Sequence, residues 1–251
     1  MVRFIKKIDL EHIDFSFIPS LRCNIKCSFC MYDCCPENNA TLDIRQASHF
    51  LKTVDWQRIG SWGFYGGEVS IEIPLYQSFI DLIPAGVPMF TITNGSWTAD
   101  PEAMNRFLQF SATNGLSIIV SGTEEHKKFQ NKERIKWFDG VPGIHFKDDD
   151  DIHPMGRAQM IAWTCNHKCL THPQPIRLAM FPGGHIILQN CDGVYPVIGN
   201  WFDDFNEIFG RAVKIREQGC RPGSLNVNDV LAKVDSELSF PRRRESRRKN
   251  G

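Results

Sequence analysis

Short apolar runs alternate along the first 150 residues with stretches whose apolar positions recur at helical spacing. Residues 13–18 (IDFSFI) predict a buried strand that runs into a loop rich in cysteine. A helix is predicted over 41–54, then a second strand over 59–65 that stops at Gly66-Gly67. The cycle continues with a helix over 71–82 and a strand over 87–93 ending at Asn94-Gly95. Asp100-Pro101-Glu102 opens the next helix, with proline suited to its first turn. Residues 116–121 (LSIIVS) predict a fourth strand, 124–137 a polar helix and 144–147 a fifth strand.

Strands separated by helices of this length imply right-handed crossovers and a parallel sheet. The expected fold class is α/β: a partial (β/α) barrel of about five to six parallel strands, with ligand-binding groups at the carboxyl ends of the strands. Those ends carry the cysteine loop, Gly66-Gly67-Glu68, Thr93-Asn94-Gly95 and Ser121-Gly122. After Asp151 the pattern changes. Residues 176–180 and 185–188 flank Pro182-Gly183-Gly184 like a β-hairpin, and 202–218 has amphipathic helical spacing. A small C-terminal cysteine-containing module is therefore expected, dividing the chain into 1–158, 159–225 and a disordered tail, 226–251.

Charge narrows the choice of partners. The formal net charge is zero, yet residues 242–249 carry six basic residues and one acidic one, so the rest of the chain is net −5. That balance argues against a globular body built to grip nucleic acid phosphates, and a solvated tail explains the basic run. No apolar run is long enough to span a bilayer, and residues 1–10 lack the continuous apolar stretch of a secretory signal. The expected location is the cytoplasm.

Nine cysteines fall in two groups: Cys23, Cys27, Cys30, Cys34 and Cys35 early, and Cys165, Cys169, Cys191 and Cys220 late. In a reducing compartment such groups point to metal or cluster ligation rather than a disulfide framework. The stretch from Arg22 to Cys30 (RCNIKCSFC) puts three thiolates in one tight loop. Three protein ligands suit an iron-sulfur cubane with one iron left open for an exogenous ligand. A zinc site, or simply packed thiols, is the alternative for the same residues.

The loop resembles the CxxxCx(aromatic)C signature of the radical S-adenosylmethionine (radical SAM) superfamily, with Phe29 in the aromatic position. The resemblance implies that Cys23, Cys27 and Cys30 hold a 4Fe-4S cluster whose open iron is chelated by the methionyl part of S-adenosylmethionine, with Phe29 near adenine. Gly66-Gly67-Glu68 resembles the family loop that meets the methionyl amino group, where glycines permit main-chain approach. Thr93 and Asn94 resemble a pocket-lining pattern. Ser121 resembles a position that contacts the ribose or methionyl part, although the Asp-Gly that commonly follows is replaced by Gly-Thr-Glu-Glu-His. On this resemblance residues 1–158 are the radical SAM core.

Met155-Gly156-Arg157-Ala158, the four late cysteines and the run from Gly184 through Asn200 to Ile208 resemble SPASM and twitch modules, which carry auxiliary clusters. That implies a possible second iron-sulfur cluster on Cys165, Cys169, Cys191 and Cys220, with a structural zinc site or free thiols as the alternative. Gly223 stands where the family often has a further cysteine. The implied activity is reductive cleavage of S-adenosylmethionine and hydrogen abstraction from a small-molecule or peptide substrate, leading to oxidation or crosslinking, with an external electron donor. The rival classes are a zinc-binding interaction protein and a non-catalytic iron-sulfur electron carrier.

Overall fold

The computed structural model describes residues 8–147, 157–158, 174–189 and 195–217, with side chains from residue 12 onward. Its strands are β1 (Ile8–Phe17), β2 (Ile59–Phe64), β3 (Met89–Thr93), β4 (Leu116–Ser121), β5 (Ile144–Lys147), β6 (Gln174–Met180), β7 (His185–Leu188) and β8 (Val197–Asn200). They form one sheet in the order β5-β4-β3-β2-β1-β6-β7-β8. The six strands from β5 through β6 run parallel, and β7 and β8 add antiparallel.

Local chemistry explains where the helices begin. Asp43 accepts from Arg45 N and starts α1 (Ile44–Leu51). Asp100 accepts from Ala103 N and starts α3 (Pro101–Thr113), with Pro101 in its first turn. Such caps satisfy amides that have no partner inside the helix, and each is worth roughly 1 kcal/mol. Between them lies α2 (Ile73–Ile80), preceded by a tight turn over Val69–Ile71. The polar helix expected over 124–137 forms for only one turn, α4 (Glu124–Lys127). There the Gln130 and Arg134 side chains donate to the Asn94 and Thr98 carbonyls, and Asn131 N donates to Thr98 Oγ1, all just past β3, which holds the segment in an irregular path.

One face of the sheet is apolar and covered. Phe15 and Phe17 from β1 meet Trp62 from β2 at 4.6 and 5.0 Å between ring centroids, and Phe17 meets Phe79 of α2 at 5.7 Å. All the long helices, including α5 (Phe205–Glu217), contribute to this core. Parallel sheets buried on both faces are apolar on both. Here the other face is mixed: Asp14, Ser16, Ser61, Ser117 and Arg177 lie on it beside a smaller buried cluster that includes Ile18, Tyr65, Ala179 and Ile187.

The 176–188 hairpin forms as expected. Its first strand, β6, lies parallel to β1, so the hairpin continues the barrel sheet. This strand supplies the sixth parallel member. Among the described residues no helix is long and apolar enough to cross a membrane.

Candidate active site

The loops after β1, β2, β3 and β4 leave the same edge of the parallel sheet, so they share one rim. The first holds Cys23, Cys27 and Cys30. Its backbone is pinned by bonds from Leu21 N to Ala40 O (2.9 Å), Cys23 N to Cys35 O (3.2 Å) and Cys30 N to Cys27 O (3.4 Å). The glycine loop lies directly against it: Gly67 N donates to Ser20 O (2.8 Å) and Glu68 N to Arg22 O (2.9 Å). Gly66 has φ 130°, and a Cβ on it would sit 2.4 Å from Ile18 Cγ2. Only glycine allows these two backbones to touch. Cys34 Sγ lies 2.9 Å from the Gly66 carbonyl.

Glu68 turns its carboxylate inward, at 1% exposure. It accepts from Ser70 Oγ (2.6 Å), Ser70 N (3.1 Å), Thr93 Oγ1 (2.7 Å) and Asn94 N (2.8 Å). Burial is the largest influence on this carboxyl and pushes its pKa up, opposed by those donors. Thr93 in turn accepts from Trp97 Nε1 at 3.1 Å. Glu68 and Thr93 thus bind the glycine loop to the end of β3. Asn94 faces the cysteines, with Nδ2 donating to Asn24 Oδ1 (2.9 Å) and lying 3.7 Å from Cys23 Sγ. Ser121 ends β4 half-buried, and its carbonyl shares Gln130 Nε2 with the Asn94 carbonyl, each at 2.8 Å. Phe29 is half-buried and meets the His126 ring edge-on at 5.5 Å.

The three thiols differ in their ease of ionisation. Burial and their neighbours' charge push Cys23 to about 11 and Cys27 to about 12. Cys30 is brought down to about 6, first by hydrogen bonding from the Cys34 side chain, against the cost of burial. The Cys34 N–H also donates to Cys30 Sγ at 3.2 Å. Cys34 itself is buried, packed beside the loop.

Arg157 fastens the loop from below. Its N–H donates to Cys30 O (2.9 Å), its Nε to Cys27 O (2.7 Å) and its Nη2 to Cys34 O, while Nη1 pairs with Asp33. Positive charge at this place lowers the cost of ionising both Cys27 and Cys30.

Sequence reasoning names Cys23, Cys27, Cys30, Phe29, Gly66, Gly67, Glu68, Thr93, Asn94 and Ser121, and the structure brings these onto one rim. It misses what Arg157 grips, and it misses Glu125 and His126, whose polar surroundings read as an exposed helix. The signal available was their position just past the fourth strand. A third group is buried Tyr65 with half-buried Tyr32 and Gln189. Gln189 Nε2 donates to the Tyr32 and Tyr65 hydroxyls at 3.1 and 2.9 Å, on the open face beneath the loop. Cys165, Cys169, Cys191 and Cys220 lie outside the described residues.

No protein-family profile and no curated protein matches the sequence. Solved structures do match the fold. BtrN in complex with AdoMet and 2-DOIA superposes with a TM-score of 0.51 at 16% identity, over 82% of this chain and 87% of BtrN. Native anSMEcpe with AdoMet and the Cp18Cys peptide gives 0.45 at 11% identity, over 80% of this chain and 81% of that one. Streptococcus suis SuiB bound to S-adenosylmethionine gives 0.40 at 11%, over 83% and 68%. The chain therefore shares the fold of BtrN, a partial β/α barrel.

Proposed function

We propose that this chain is a radical SAM enzyme in which Cys23, Cys27 and Cys30 each bind one iron of a 4Fe-4S cluster. The observation that carries this reading is the convergence of four strand-end loops on one three-cysteine loop, with glycine backbone laid against it. The donor set fits the group. Three thiolates from one loop give a cubane one protein ligand on each of three irons and leave the fourth iron open.

When bound, the cluster supplies the electron that breaks the sulfonium bond of S-adenosylmethionine, giving methionine and a 5′-deoxyadenosyl radical that abstracts hydrogen from substrate. The remaining work belongs to the chain. Gly66 and Gly67 would let main-chain groups approach a methionyl ammonium. Phe29 offers an aromatic surface to adenine. Asn94 and Ser121 line the rim on either side, and Glu68 and Thr93 hold that rim in place. Arg157 offsets the charge of the thiolates. The fold shared with BtrN, solved with AdoMet bound, supports the cofactor.

Substrate would lie on the open face of the sheet. Asp14 there accepts from Ser61 Oγ at 2.6 Å and pairs with Arg177 at 3.6 Å. Such groups suit a polar small molecule or a peptide, oxidised or crosslinked after hydrogen loss. Cys165, Cys169, Cys191 and Cys220 would hold a second iron-sulfur cluster, as in a SPASM-like module, here joined to the barrel through β6 rather than set apart from it. An external one-electron donor completes the cycle.

The test is anaerobic incubation of reconstituted protein with dithionite and S-adenosylmethionine, followed by chromatography for 5′-deoxyadenosine. Product that depends on iron and on reductant supports the reading. Iron-loaded protein that binds S-adenosylmethionine and yields none refutes it.

A further inference from the structure

The loop after β4 docks onto the cysteine loop at adjacent points. Glu125 accepts from Ser28 N (2.9 Å) and Ser28 Oγ (2.5 Å). The next residue, His126, places Nε2 at 3.2 Å from Cys27 Sγ. Its ring meets the edge of Phe29 with an interplanar angle of 75°. The backbone that carries the imidazole is capped, because Thr123 Oγ1 accepts from His126 N at 3.2 Å and the Thr123 carbonyl accepts from Lys127 N at 2.9 Å. Cys27 is 5% exposed, so little water competes for its sulfur.

A ligating thiolate is an acceptor, which selects the Nε2–H tautomer of an imidazole facing it. Hydrogen bonds to cluster sulfurs draw electron density from the metal and favour the reduced state. We infer that His126 is a positioning residue that donates from Nε2–H to the Cys27 thiolate and raises the potential at which the cluster accepts its electron. The Glu125–Ser28 clamp sets the distance. This inference rests on the reading of Cys23, Cys27 and Cys30 as cluster ligands.

The test is a dithionite titration of the reconstituted full chain, followed by electron paramagnetic resonance, on wild type, His126→Phe and His126→Gln. Phenylalanine keeps the ring contact and removes the donor, whereas glutamine restores a donor. Iron content should be equal in all three. At a fixed poise the reduced-to-oxidised ratio should fall about tenfold in His126→Phe, a shift of about 59 mV for one electron, and recover in His126→Gln. Thr123→Ala, which loosens the imidazole without deleting it, should shift in the same direction by less, and it carries the test if His126→Phe loses iron. Loaded variants titrating with wild type would overturn the inference while leaving the ligand assignment standing. A wild-type chain that takes up no iron would overturn the ligand assignment, and the inference with it.

Discussion

Gly67 lies so close to Arg22 that a Cβ on the glycine would stand 1.8 Å from the Arg22 carbonyl oxygen. The atom in the way is backbone, which no rotamer change can move aside. Gly67→Ala must therefore push the cysteine loop off the glycine loop. The expected outcome is a folded chain that retains less than half the wild-type iron after desalting, measured by metal analysis with circular dichroism as the fold control. Unchanged iron would show that the close approach is dispensable.

Glu68 joins two strand-end loops through one buried carboxylate, and its removal strands four donors on Ser70, Thr93 and Asn94. A buried donor left without a partner costs about 1–3 kcal/mol. Glu68→Ala is expected to lower unfolding stability by about 3 kcal/mol in urea denaturation. A loss under 1 kcal/mol would mean that water replaces the carboxylate.

Much of the frame was legible because parallel strands and their caps leave local signatures. The alternation in 116–121 locates β4, and Asp100-Pro101 locates the start of α3 within a residue. The segment 124–137 was misread because Gln130 and Arg134 look like helix surface. Their partners, the carbonyls of Asn94, Ser121, Thr98 and Ala99, come from strands and loops elsewhere in the chain. The three cysteines announce themselves by spacing. Arg157 and His126 do not, since each matters only for what tertiary folding sets beside it.

The three thiols of the metal-free protein should react in a definite order. Cys30 is held near 6 by hydrogen bonding from Cys34, whereas burial pushes Cys23 to about 11 and Cys27 to about 12. A lowered value means thiolate is present once pH exceeds it, so at pH 7 Cys30 is mostly ionised and the other two are not. Brief iodoacetamide treatment at pH 7, read by peptide mapping, should label Cys30 at least tenfold faster than Cys27. At pH 5 labelling of Cys30 itself should slow about tenfold as it takes up its proton. Equal labelling at pH 7 would contradict the Cys34 contact.

Arg157 grips the carbonyls of Cys27, Cys30 and Cys34 at once. Arg157→Lys keeps the charge and the backbone bond to Cys30 but loses the forked geometry. Both Arg157→Lys and Arg157→Ala are expected to reconstitute and then lose iron faster than wild type to a chelator, the alanine variant by about tenfold. Equal release rates in all three proteins would show that the loop holds its shape without the guanidinium.

The central claim is that the loop at Cys23, Cys27 and Cys30 carries a cluster with one iron open to S-adenosylmethionine. The most direct measurement is electron paramagnetic resonance of the reconstituted, dithionite-reduced protein before and after S-adenosylmethionine is added, against the triple cysteine-to-alanine variant at those positions. The account predicts a reduced 4Fe-4S signal whose g-values move on addition of S-adenosylmethionine, and loss of that responsive signal in the variant. A wild-type signal indifferent to S-adenosylmethionine, or a responsive signal that survives in the variant, would contradict it.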